Sequence, residues 1–161
     1  MIDFLEEDKG SEAPFFSYLS FQAQHIPLQV PQVFIDKYMD TYKGGWDVLR
    51  EQRKNKSIEK GIFPPNKEIV DSLSSLESWS SVNEADKKML IKSMAVFAGM
   101  LDAMDFHIGR FVTYLKDTGQ YENTIFIVTA DNGPEGNNPS DHEAWRAWFE
   151  TSIYDLSLIH I

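Results

Sequence analysis

Apolar residues fall at Leu90, Met94, Phe97, Leu101, Met104, Ile108, Phe111 and Leu115, in steps that alternate four and three. That is one continuous stripe on a helix, and it predicts a single long element. Asn83 is placed to cap its start, with Asp86 in the first turn to favour the positive end of the dipole. Lys116 in the last turn and Gly119 just beyond it are placed to close the helix. At about 1.5 Å per residue the element spans roughly 50 Å, too long for a domain of this size to cover alone. Inside it, Asp105 reads as a polar contact near the core and His107 as solvated. Two other runs lack the helical period. Ile125-Phe126-Ile127-Val128-Thr129 carries no charge, as a strand buried on both faces of a parallel sheet would. Phe15-Phe16-Ser17-Tyr18-Leu19-Ser20-Phe21, aromatic and compact, reads as a second buried strand.

The remaining segments fill in around these. Ile2 and Leu5 form the apolar side of a short helical turn that Gly10 can end; so few residues have little reason to form a helix alone, so the chain is expected to begin inside a longer element. Val33 to Tyr42 reads as a short helix, Gly44-Gly45 breaks it, and Trp46 to Lys60 reads as another. Gly61 and Pro64-Pro65 stop that one. Asn66 to Val82 is Ser-rich and irregular, with Trp79 as the anchor that ties it down. A strand, a long helical excursion and a second strand make a parallel crossover unit. The fold class that follows is α/β, with a mostly parallel sheet represented in part. If the two strands are parallel, their carboxyl ends share one edge of the sheet, and ligands of open α/β sheets bind just beyond that edge.

The residues at those two ends carry the candidate chemistry. Asp131 and Asn132 offer a carboxylate and an amide oxygen side by side, donors that suit a hard cation such as Ca²⁺ or Mg²⁺. Gly133 allows a positive φ and a sharp exit from the strand. Asp-Asn-Gly is equally a plain turn after a strand. His25 lies four residues past the other strand end, before Pro27, where a histidine can serve a structural role or contact a substrate. On this topology His25, Asp131 and Asn132 converge on one crevice.

Composition narrows the rest. A hydrophobic fraction of 42% is too high for a disordered chain. No apolar run is long enough to cross a membrane, and no signal peptide opens the sequence. With no cysteine in the chain, disulfides, thiolate metal sites and a cysteine nucleophile are excluded within it, while the compartment stays open. A formal net charge of −10 argues against nucleic acid or an anionic membrane as partner. A bound cation could still reverse the local field for a small anionic substrate. The basic residues Arg50, Arg53, Lys54, Lys56 and Lys60 share their segment with Glu51 and Glu59 and read as a solvated helix face. Counted as a calcium loop from Asp131, the pattern fails at its third position, Gly133, and its twelfth, His142. Phosphate-binding loop, dinucleotide and nucleophile-elbow motifs are absent, and no histidine pair has zinc-ligand spacing.

Five short pieces in order are together specific. They are Pro14-Phe15-Phe16-x-Tyr18-Leu19-x-Phe21 and His25-x-Pro27-Leu28-Gln29-x-Pro31, then Tyr42-x-x-Gly45-Trp46-Asp47-x-Leu49-Arg50. Met104-Asp105-x-x-Ile108-Gly109-Arg110 and Asp131-Asn132-Gly133-Pro134-Glu135-Gly136-Asn137-Asn138-Pro139 complete the set. From Ile2 to Asp155 the chain resembles the middle of a bacterial-type arylsulfatase, a sulfatase of the alkaline phosphatase-like superfamily. The resemblance implies a partial α/β/α sandwich and hydrolysis of a sulfate ester at a divalent cation, usually Ca²⁺. It implies that Asp131 and Asn132 are two of four oxygen-donor residues on that cation. It further implies that His25 belongs to the sulfate pocket and assists the leaving oxygen. The family's nucleophile is formylglycine, made from Cys or Ser in a Cys/Ser-x-Pro-x-Arg motif.

The departures are as informative. The nucleophile motif, the paired N-terminal Asp ligands and the downstream Lys that pairs with sulfate are all missing from this sequence. Residues 1–155 are therefore expected to be part of a sulfatase catalytic domain cut at both ends, inactive by itself. Leu156-Ser157-Leu158-Ile159-His160-Ile161 resembles an adapter-encoded tail, so His160 takes no functional role. Two alternatives stay open: a phosphate-monoester or phosphonate hydrolase of the same superfamily, and a non-catalytic binding module.

Overall fold

The computed structural model describes residues 1–11, 13–25, 27–67, 77–133 and 143. The chain divides into two compact units, Met1–Thr118 and Gly119–Ile161. Among the described residues the first unit holds the helices α1 (Ile2–Glu7), α2 (Gln32–Ile35), α3 (Gly45–Glu59) and α4 (Glu84–Asp117).

Helix α4 forms where the apolar stripe places it, and its ends are built as the sequence indicates. Asn83 is extended and its side-chain oxygen accepts the Asp86 backbone N–H at 3.0 Å. Its amide in turn donates to the Asp86 carboxylate at 2.6 Å, so both partners are satisfied at the helix start. Such a cap is worth about 1 kcal/mol. One turn in, the Lys87 ammonium lies 2.8 Å from Glu84, and this hydrogen bond holds the Glu84 carboxyl below its ordinary value. At the far end Thr118 is the C-cap, and Gly119 leaves the helix with φ +72°, the left-handed exit glycine makes without strain.

The face that α4 buries differs from the expected stripe. Phe111 and Leu115 are buried as the pattern requires, but upstream the buried line runs through Ala95, Gly99 and Met100. Phe97 and Leu101, members of the stripe, are exposed. The reason lies in α2, which packs across α4. A Cβ on Gly99 would stand 3.1 Å from the Val30 side chain and 3.2 Å from the Phe34 backbone. The closest approach falls on small residues, which hydrophobicity counts hardly weigh. Asp105, read as a contact near the core, is exposed because it lies off this rotated face. His107 is solvated as expected, with its Nδ1 3.2 Å from the Arg110 guanidinium.

Helix α2 is shorter than the span from Val33 to Tyr42 suggests. After Ile35 the chain continues in turns, with Tyr38 N–H donating to Ile35 and Thr41 N–H to Tyr38, bonds of one turn that do not propagate. Lys37 fixes this stretch to α4 through Asp102 at 2.6 Å, while its ammonium lies 5.0 Å from the Phe34 ring centroid. Phe34 meets Phe106 edge-on at 5.9 Å.

Trp79 is the anchor the sequence indicates. It sits in a short 3₁₀ turn, Trp79–Ser81, that packs on α3. Its ring meets Trp46 edge-on at 4.8 Å, Trp46 Nε1 donates to the Glu77 carbonyl at 3.1 Å, and Asp47 accepts the Trp79 N–H at 3.0 Å. Gly45 makes this possible: it takes φ +71°, and a Cβ there would lie 2.1 Å from the Trp79 ring. Gly45→Ala should therefore combine backbone strain with overpacking and destabilise this contact by about 2–4 kcal/mol. Loss of the near-UV circular dichroism of the tryptophan pair, with helix content kept, would show it. An unchanged signal would mean the ring is not wedged there.

Helix α1 makes a polar contact with α4 through Glu6 and Tyr114. Desolvation, then a hydrogen bond to Glu6, raises the Tyr114 phenol above the ordinary value of 10.0. A raised value means that the neutral phenol is the form the folded chain favours. That preference is complete below the ordinary tyrosine pKa and is lost as pH rises through the raised one. Spectrophotometric titration of Glu6→Ala should show one tyrosine ionising at lower pH than in the original chain; identical curves would refute the contact.

In the second unit a 3₁₀ turn, Tyr121–Asn123, follows α4, and Thr124 Oγ1 donates back to Gln120 at 2.7 Å. Tyr121 packs on Phe126 at 5.7 Å. Residues 125–130 and 13–22 form neither helix nor ladder, and no strand occurs among the described residues. The expected parallel sheet is therefore not seen among these residues. A strand is defined by its partner, because extended backbone donates and accepts only sideways; neither segment has one among these residues. Residues 134–142 and 144–161, which include the end of the Asp131 motif and the adapter-like tail, lie outside the described residues.

Candidate functional site

Asp131 and Asn132 occupy a bend at the end of the apolar run. The bend is held by its own side chains. Asn132 N–H donates to Asp131 Oδ1 at 3.0 Å, and the Asn132 amide nitrogen donates to the Gly133 carbonyl at 2.6 Å. Gly133 does not use the positive φ the sequence allows it; the side-chain bonds make the turn instead. With its N–H₂ group engaged, Asn132 keeps Oδ1 for an electropositive partner. Asp131 likewise keeps Oδ2. Both residues are exposed.

Two hard oxygens of this kind fit part of a Ca²⁺ or Mg²⁺ shell. They do not complete one. Among the described residues no three His, Asp or Glu side chains gather closely enough to hold a metal.

His25 belongs to the first unit and closes a tight turn, its backbone N–H donating to the Gln22 carbonyl at 2.9 Å. Its side chain is exposed. Gln24, half-buried beside it, donates from Nε2 to the Phe97 carbonyl of α4 at 3.3 Å. Sequence reasoning passed over Gln24, since its partner is 73 positions away and no local pattern marks such a contact. The Asp131–Asn132 pair belongs to the second unit. The structure thus joins Asp131 to Asn132, and places His25 in its own turn on α4.

A family model described as Sulfatase matches residues 1–153. The chain belongs to the sulfatase family. An uncharacterized sulfatase of Schizosaccharomyces pombe is 38% identical over 139 residues, covering 85% of this chain and 25% of its own length. An arylsulfatase of Klebsiella aerogenes is 32% identical over 122 residues, 76% of this chain and 26% of its own. A multifunctional alkaline phosphatase superfamily protein of Trinickia caryophylli is 25% identical over 135 residues, 79% of this chain and 25% of its own. This sulfatase chain thus spans about a quarter of the length of these relatives. Family membership implies the alkaline phosphatase-like fold, and sulfatases generally use a divalent metal and act on small sulfate esters. Among the described residues no helix is long and apolar enough to cross a membrane.

Proposed function

We propose that this chain is a segment of a sulfuric ester hydrolase of the arylsulfatase kind, with a partial α/β/α sandwich around a mostly parallel sheet. In it, Asp131 and Asn132 supply two oxygen ligands to Ca²⁺, with Mg²⁺ as the second choice, and His25 lies against the sulfate ester. The observation that carries this is the hard-oxygen pair Asp131–Asn132 inside a sulfatase match running from residue 1 to 153. When bound, the cation would neutralise charge on the sulfate oxygens. Asp131 supplies the negative charge that attracts it. His25, exposed in its turn, is suited to give a proton to the departing oxygen. The formylglycine nucleophile would come from a residue outside this sequence, and the chain alone is proposed to be inactive.

The test is hydrolysis of aryl sulfates and aryl phosphates by a full-length sulfatase carrying this segment, with and without Ca²⁺. Metal-dependent turnover favouring the sulfate ester is expected. A preference for phosphate monoesters or phosphonates would move the assignment to the alternative hydrolase of the same superfamily. Binding of sulfate esters without turnover would point to a non-catalytic module.

A further inference from the structure

We propose that Gln24 is a positioning residue for His25, holding the turn that carries the imidazole against the middle of helix α4. The proposal rests on the assignment of His25 to the sulfate ester. Gln24 Nε2 donates to the Phe97 carbonyl at 3.3 Å, and the next residue's N–H closes the turn on the Gln22 carbonyl at 2.9 Å. Gln24 and His25 therefore belong to one short bonded turn, and displacing the first side chain reorients the second.

The anchor point matters. Phe97 lies thirteen residues into a capped helix that ends at Asp117, far from the fraying first and last turns. Its carbonyl accepts one bond within the helix and has a second lone pair for Gln24. The loop is thus fixed to the most regular part of the unit. Pro27 has no N–H to donate, and the flanking Phe21 and Leu28 are both exposed. Gln24 is half-buried while His25 is exposed. A misplacement of about 1 Å in a reacting group can cost about a hundredfold in rate.

The experiment uses a full-length sulfatase carrying this segment, with Gln24→Ala, Gln24→Glu, His25→Ala and the Gln24→Ala/His25→Ala pair, assayed on an aryl sulfate. Gln24→Glu keeps the shape and loses the donor. Both Gln24 variants should lose about ten- to a hundredfold in kcat with KM within about twofold, because the tether orients a group and does not bind substrate. The pair should be no slower than His25→Ala alone. Losses that multiply in the pair would show that Gln24 acts independently of His25, and would overturn the proposal. So would full activity in both Gln24 variants. If His25→Ala itself keeps kcat, the His25 assignment falls, a result distinct from either of those.

Discussion

Replacing Asp131 with alanine, in a full-length sulfatase carrying this segment, is expected to lower aryl sulfate turnover about a thousandfold or more. Ca²⁺ affinity should fall in the same variant. Hard cations prefer anionic oxygen, and the amide of Asn132 cannot replace the lost charge. The bend would suffer as well, since Asp131 Oδ1 accepts the Asn132 N–H at 3.0 Å and so orients the second ligand. Asp131→Asn separates the two effects: it keeps an acceptor for the bend and removes the charge, so a loss near that of alanine would assign the effect to the ion. His25→Ala should behave differently, with metal binding kept and the loss confined to turnover, because His25 is assigned to the ester. Calcium titration alongside kinetics on these variants decides the matter. Unchanged Ca²⁺ affinity in Asp131→Ala would return Asp-Asn-Gly to a plain turn.

What could be read in the sequence is what depends on neighbours along the chain. Asn83 as a cap and Gly119 as the exit each rest on local geometry, and each stands where the pattern puts it. The face of α4 was legible only at its end. Phe111 and Leu115 followed the stripe, whereas the middle of the helix turned Ala95 and Gly99 inward because α2 comes so close. That approach is a property of two segments more than sixty positions apart. Lys37 with Asp102 and Gln24 with Phe97 are contacts of the same kind, separated by 65 and 73 positions. At the candidate site, the donor chemistry of Asp131 and Asn132 was legible. The bonds that hold the bend were not, and Gly133 proved not to supply the left-handed turn expected of it. The apolar runs announced strands, but composition does not say which backbone they pair with.

The chain by itself is expected to unfold without a sharp transition and to bind an apolar dye strongly at ordinary temperature. The strand-like runs are the reason. Phe16 is 92% exposed, Ile125 89%, Ile127 86% and Val128 92%, although these are the residues a buried strand would cover first. Full burial of such a side chain is worth about 1.5–3 kcal/mol, so these alone forgo roughly 6–12 kcal/mol. That is about the whole net stability of an ordinary domain, roughly 5–15 kcal/mol. Exposed Phe97, Leu101 and Phe106 on α4 add to the uncovered surface. Helix content should nevertheless be substantial, since α4 is capped at its start and closed by a glycine. The measurement is calorimetry of the monomer beside dye binding and far-UV circular dichroism. A single sharp endotherm with equal calorimetric and van't Hoff enthalpies, and no dye bound, would contradict this. In that event the runs at residues 15–21 and 125–129 would need no neighbouring strands, and the parallel-sheet placement of His25 and Asp131 would lose its support.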